Sequence, residues 1–156
     1  MIGAIIGDVV GSAYEFNNIR IKNFPIEKEL CSKTDDSVLT LAVIDSLVND
    51  LDIVSAFKKW FKKYPMAGYG NRFTEWCLSD STKPYNSFGN GAAMRISPVG
   101  WFAKSEDEVK SLSRRITECT HNHPEGIKGA EVVSMCIYYA LNNKSKDEIR
   151  KCCDLQ

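Results

Sequence analysis

Pro124-Glu125-Gly126-Ile127-Lys128-Gly129-Ala130-Glu131-Val132-Val133-Ser134-Met135-Cys136-Ile137-Tyr138-Tyr139-Ala140-Leu141 is the stretch whose reading decides the fold class. Ile127, Ala130, Val133, Ile137, Ala140 and Leu141 recur mostly at spacings of three and four, the period of one buried face of an α-helix. Proline suits the start, because the amide it lacks would have no partner in a first helical turn. On either side stand two S-x-x-E boxes, Ser105 with Glu108 and Ser145 with Glu148. In such boxes the side chains satisfy orphan amides at a helix start. Val109, Leu112, Ile116 and Cys119 then give the helix after Ser105 an apolar face.

The same period runs back toward the N-terminus. Ile53, Phe57, Trp60 and Phe61 mark a helix ended by Pro65, and Val38, Leu41, Ala42, Ile44, Leu47 and Val48 mark another. Ile2, Ile5, Ile6, Val9 and Val10 predict a first helix with one buried face. Its Gly3, Gly7 and Gly11 follow a four-residue rhythm that would let another backbone approach closely, offsetting their poor helix propensity. Gly68-Tyr69-Gly70-Asn71 and Ser87-Phe88-Gly89-Asn90-Gly91 break the rhythm as loops. No alternating strand, internal repeat or low-complexity tract interrupts the pattern. The predicted fold is all-α, and 156 residues fit a single domain over 1–156.

Lys plus Arg and Asp plus Glu both number 20, so no basic footprint for nucleic acid is present, although a small anionic ligand remains compatible. The apolar segment from Met1 to Tyr14 lacks a preceding positive charge, is interrupted by Asp8, and is too short to span a membrane. The six cysteines include no C-x-x-C pair. Together these features predict reduced thiols and a cytoplasmic protein.

Four segments carry possible chemistry. Asp8 and Glu15, seven residues apart, would share one helix face about 10 Å apart, which a solvated surface also explains. Thr34-Asp35-Asp36-Ser37 precedes an apolar helix; Thr34 can cap it while the aspartates complement its dipole. The same residues offer the hard oxygen ligands that Mg²⁺ prefers. Gly89-Asn90-Gly91-Ala92-Ala93-Met94-Arg95 is either a structural turn or a helix start with open amides for a phosphate. It lacks the third glycine and preceding strand of a dinucleotide fingerprint. His121-Asn122-His123-Pro124 follows Cys119 without standard zinc spacing, leaving a connecting loop or a histidine packed on a ligand.

In this order and spacing, Gly3 to Glu15, Thr34 to Ser37, Gly89 to Arg95 and Thr120-His121 resemble the ADP-ribosylglycohydrolase family, with likeness from residue 1 to about 142. The resemblance implies a compact multi-helix fold around two Mg²⁺ ions, and cleavage of the glycosidic bond joining ADP-ribose to a protein side chain or other acceptor. It makes Thr34, Asp35 and Asp36 metal ligands, with Glu15 joining Asp35 and Asp36 as the acids assisting the reaction. Gly68, Gly70, Ser87, Gly89, Asn90 and Gly91 would line the diphosphate and ribose, and His121 the ligand pocket.

One departure stands out. The family carries a second acidic run, Asp-Thr/Ser-Asp, near its C-terminus, whereas only Asp147, Glu148 and Asp154 follow residue 145 here. The expectation is therefore a C-terminally truncated form of the fold, with one Mg²⁺ rather than two. A catalytically impaired ADP-ribose-binding protein is the alternative. Apolar surface left uncovered by absent helices would favour self-association.

Overall fold

The computed structural model describes residues 1–154. Among them are eight α-helices and no strand, so the all-α expectation holds. The helices are α1 (Ile2–Gly11), α2 (Asp35–Asn49), α3 (Ile53–Lys63), α4 (Asn71–Leu78), α5 (Ser97–Phe102), α6 (Glu106–Thr117), α7 (Pro124–Leu141) and α8 (Lys146–Asp154).

Their ends follow from side-chain chemistry. Thr34, Asp52 and Ser105 each present an oxygen to an amide two or three residues on, starting α2, α3 and α6. The Ser145 box is reciprocal: Ser145 Oγ accepts from the Glu148 amide at 3.3 Å, and Glu148 Oε2 accepts from the Ser145 amide at 2.8 Å. α6 carries Glu106, Asp107 and Glu108 in its first turn and Arg114 and Arg115 in its last, matching its dipole at both ends.

The central helix is α7, against which α5, α6 and α8 pack, while α2 pairs with α3 and touches α5. Leu39, Val43, Phe57, Phe61, Phe73, Trp76, Ile96, Val99, Val109, Ile116 and Met135 join in one apolar core. Asp45 ties α2 to α3 by accepting from Lys59 Nζ at 2.7 Å and Trp60 Nε1 at 2.9 Å. With Asn49 also donating, the Lys59-led hydrogen bonds lower its carboxyl to about 2.

Two expectations fail at the N-terminus. α1 contributes no buried residue: Ile2 is 74% and Ile6 56% exposed. A side-chain atom added at Gly3, Gly7 or Gly11 would meet nothing within 4 Å, so the glycine rhythm serves no close approach among the described residues. Periodicity reports that a helix has an apolar face, not that a neighbour covers it. α1 ends at Gly11 and continues as a 3₁₀ turn over Ser12–Tyr14, and Asp8 and Glu15 both bear on the carboxyls of Asp35 and Asp36.

Of the two readings of Gly89 to Arg95, the structure selects the turn. Residues 90–95 form turns rather than a helix start, and α5 begins only at Ser97. The Met94 amide closes one of those turns onto the Asn90 carbonyl at 3.0 Å. No described helix is long and apolar enough to cross a membrane.

Candidate functional site

The site forms where the start of α2 meets α1. Thr34 has extended backbone, and its Oγ1 accepts from the Asp36 amide at 3.2 Å. Asp8 reaches across from α1: Oδ2 accepts from the amides of Thr34 at 3.0 Å and Ser37 at 3.2 Å, while Oδ1 accepts from Thr34 Oγ1 at 2.5 Å. A negative carboxylate on orphan amides at a helix start is favourable on both hydrogen-bond and dipole grounds. Asp8 is thus the joint between α1 and α2, a role that a solvated-face reading misses.

Asp35 and Asp36 occupy the first turn of α2 beside Asp8 and Glu15. Burial, then repulsion from Asp36, raises the Asp35 carboxyl to about 6, with Glu15 and Asp8 adding to the effect. Burial and then Asp8 also raise Asp36, against the Thr34 hydrogen bond. Among the described residues no cation stands in ion-pair contact with any of the four acids. These acids are hard oxygen donors whose negative charge is uncompensated, yet no three of them converge closely enough to form a metal cluster.

Beside Asp35 opens a cleft of about 360 Å³, within the roughly 300–1,000 Å³ range of small-molecule sites. Its wall unites Asp35 with Gly70, Ser87, Gly89, Asn90, Gly91 and His121, bringing together segments up to 86 positions apart. Thr34, Asp36, Glu15 and Gly68 stand outside this lining. Gly68 instead takes φ of +90°, a left-handed turn that glycine accepts readily, just before α4. Gly70 caps α4 without a side-chain hydrogen bond, so the start of that helix faces the cleft with Asn71 and Arg72. Such a terminus attracts anions.

Arg95 forms part of the wall and is fully buried. Its guanidinium lies 4.1 Å from the centroid of the Phe57 ring, and Nη2 donates to Thr120 Oγ1 at 2.7 Å. Nε and Nη1 have no partner. The sequence signal for a role at Arg95 is an arginine among the small and apolar residues of Ala92-Ala93-Met94-Arg95-Ile96, a signal that assigns it no partner. His121 is 4% exposed. Burial, then the Arg95 and Arg72 charges, lower its imidazole to about 3, so it is neutral at physiological pH.

Thr120 Oγ1 stands 2.8 Å from His121 Nδ1. His123 Nδ1 accepts from the Glu125 amide and caps α7, which separates the two histidines by function. No three His, Cys, Asp or Glu side chains among the described residues converge as a metal cluster, which leaves the Cys119, His121 and His123 combination unassembled.

Comparison with known proteins finds named relatives of this chain. ADP-ribosylhydrolase ARH3 of Homo sapiens is 25% identical over 183 aligned residues, covering 95% of this chain and 50% of the relative. The Gallus gallus protein of the same name is 25% identical over 186 residues, covering 95% and 51%. That of Xenopus tropicalis is 21% identical over 178 residues, covering 95% and 51%. The chain therefore spans about half the length of these relatives. The family model described as ADP-ribosylglycohydrolase matches residues 1–155, nearly the whole sequence, and the chain belongs to that family.

Proposed function

We propose that the cleft binds an ADP-ribosyl group and that the chain contributes to Mg²⁺-dependent hydrolysis of the glycosidic bond linking it to a protein side chain or other acceptor. The observation that carries this reading is the meeting of Asp35, the glycine turns and His121 in one wall. The open start of α4 and the small residues at Gly89 and Gly91 suit a diphosphate, which needs close approach to backbone. Asp35 and Asp36 would hold the cation, with Thr34 and Asp8 fixing the turn that carries them. When bound, such an ion supplies orientation of the ribose hydroxyls and activation of a water. Glu15, at the edge of the acidic cluster, is the candidate for assisting proton transfer to the leaving group.

A second reading, ADP-ribose binding without turnover, draws support from the lack of a converged metal cluster among the described residues. Calorimetric titration with ADP-ribose, followed by turnover of ADP-ribosylated arginine and serine peptides with and without Mg²⁺, separates the two. Binding with Mg²⁺-dependent release supports hydrolysis, and binding without release supports the second reading. Absence of binding removes both.

Asp35→Asn or Asp36→Asn should weaken Mg²⁺ at least tenfold while circular dichroism remains unchanged. Each removes a charged ligand from a hard-cation site, whereas the cap at Thr34 survives. Unchanged metal affinity together with a melted helix would instead assign both aspartates to capping alone.

Gly91→Val should weaken ADP-ribose by about tenfold or more, because even a Cβ there would stand 3.3 Å from His121 Nε2 and crowd the imidazole. Equal calorimetric affinity for both proteins would remove this turn from the ligand site.

A further inference from the structure

Arg95 poses a physical question that the proposed reaction leaves open. A fully buried guanidinium with two unpartnered nitrogens is costly, yet it sits on the cleft wall with no carboxylate paired to it. Its one hydrogen bond goes to Thr120 Oγ1, and that oxygen lies 2.8 Å from His121 Nδ1. The three groups form a chain leading from the core to the cleft.

The direction of that chain follows from counting hydrogens. Arginine can only donate, so it occupies one lone pair of Thr120 Oγ1. The hydroxyl retains one hydrogen and one lone pair. If His121 carried its proton on Nδ1, the imidazole would take that last lone pair, and the threonine hydrogen would need another acceptor. Thr120 is fully buried, and the alternative within reach is the Cys119 thiol, a weak acceptor. If Nδ1 is unprotonated, it accepts the threonine hydrogen directly and every atom in the chain is used. The imidazole proton then lies on Nε2. That nitrogen faces the Asn90-Gly91 turn, 3.3 Å from where a Gly91 Cβ would be, and makes no hydrogen bond to the described residues.

We propose that Arg95 and Thr120 are positioning residues that lock His121 as its Nε2–H tautomer, giving the cleft one fixed hydrogen-bond donor for a ligand oxygen. The identity of the oxygen as part of ADP-ribose rests on the functional reading above; the tautomer does not. The positive charge of Arg95 contributes twice. It polarises the threonine hydroxyl toward Nδ1, and it opposes a second proton on the imidazole, in keeping with the low His121 pKa. A charged histidine would have no acceptor role at Nδ1 and would lose the lock.

The test is nitrogen NMR of the ¹⁵N-labelled full chain without ligand. Only two histidines are present, and His123→Asn, which keeps an acceptor at the start of α7, assigns the signals. The expected result is a proton on His121 Nε2 and a bare Nδ1 in the parent protein. Thr120→Val, nearly equal in shape, should release the lock and give mixed tautomers, and Thr120→Ser should restore a single one. ADP-ribose affinity should fall about tenfold in Thr120→Val, the scale of one lost hydrogen bond, and return in Thr120→Ser.

An Nδ1–H or doubly protonated His121 in the parent protein overturns the proposal, and this measurement stands even if Thr120→Val fails to fold. An unchanged tautomer in a folded Thr120→Val overturns it as well. If the tautomers behave as expected while the parent protein binds no ADP-ribose, the lock is supported and the assigned ligand is wrong.

Discussion

Gly100→Ala is expected to lower stability by about 3 kcal/mol or more, the upper end of overpacking costs, and to reduce Tm by roughly 10 °C. Gly100 lies in α5 where that short helix presses on α7. An added Cβ would stand 2.6 Å from the Ser134 carbonyl oxygen and 2.8 Å from Ile137 Cβ. The first is main chain inside a helix and cannot swing aside, so α5 must lift, withdrawing Ile96 and Val99 from the core. Gly129 in α7 supplies the control. Nothing lies within 4 Å of its added Cβ, so Gly129→Ala should stabilise by up to about 1 kcal/mol through helix propensity. Urea unfolding of both variants decides the matter. Equal stability of Gly100→Ala and the parent protein would mean that α5 and α7 are not packed as described.

Phe57→Ala should cost about 3–5 kcal/mol, the range for truncating a buried aromatic side chain. Phe57 is fully buried in α3 and meets Phe73 edge to face, with ring centroids 6.1 Å apart. Its face also carries the Arg95 guanidinium, an interaction worth on the order of 2 kcal/mol when desolvated. Phe57→Leu separates these contributions, because leucine refills much of the volume without an aromatic face. The step from Phe to Leu should therefore weaken ligand binding through Arg95, and the further step to Ala should mainly lower stability. Both are read by paired urea titration and calorimetry with ADP-ribose. A loss below about 1 kcal/mol for Phe57→Ala would contradict the placement of this ring in the core.

The sequence alone determined the helices whose signals are local. The apolar period and Pro124 locate α7, Ser105 and Ser145 mark the starts of α6 and α8, and Pro65 closes α3. Each depends on residues within a turn or two, so the chain carries the information wherever it lies in space. Motif order likewise indicated the family and brought Asp35, Gly91 and His121 to attention before any fold was known. It did not locate α4 or α5, whose eight and six residues are too short for a period to declare itself.

Tertiary structure decided what depends on docking. Only the approach of α1 to α2 makes Asp8 a partner of Thr34 and Ser37, 26 and 29 positions away, instead of a solvated acid. The same approach leaves the apolar face of α1 open, despite a pattern that predicts burial. Gly89 to Arg95 reads in sequence as a turn or a helix start, and the turn closed by Met94 onto Asn90 carries Arg95 inward to Phe57 and Thr120. Burial, tautomer and charge at the cleft come from such encounters between distant segments. A one-dimensional pattern records which residues can make them, whereas the packed fold selects which of them meet and how much water remains between them.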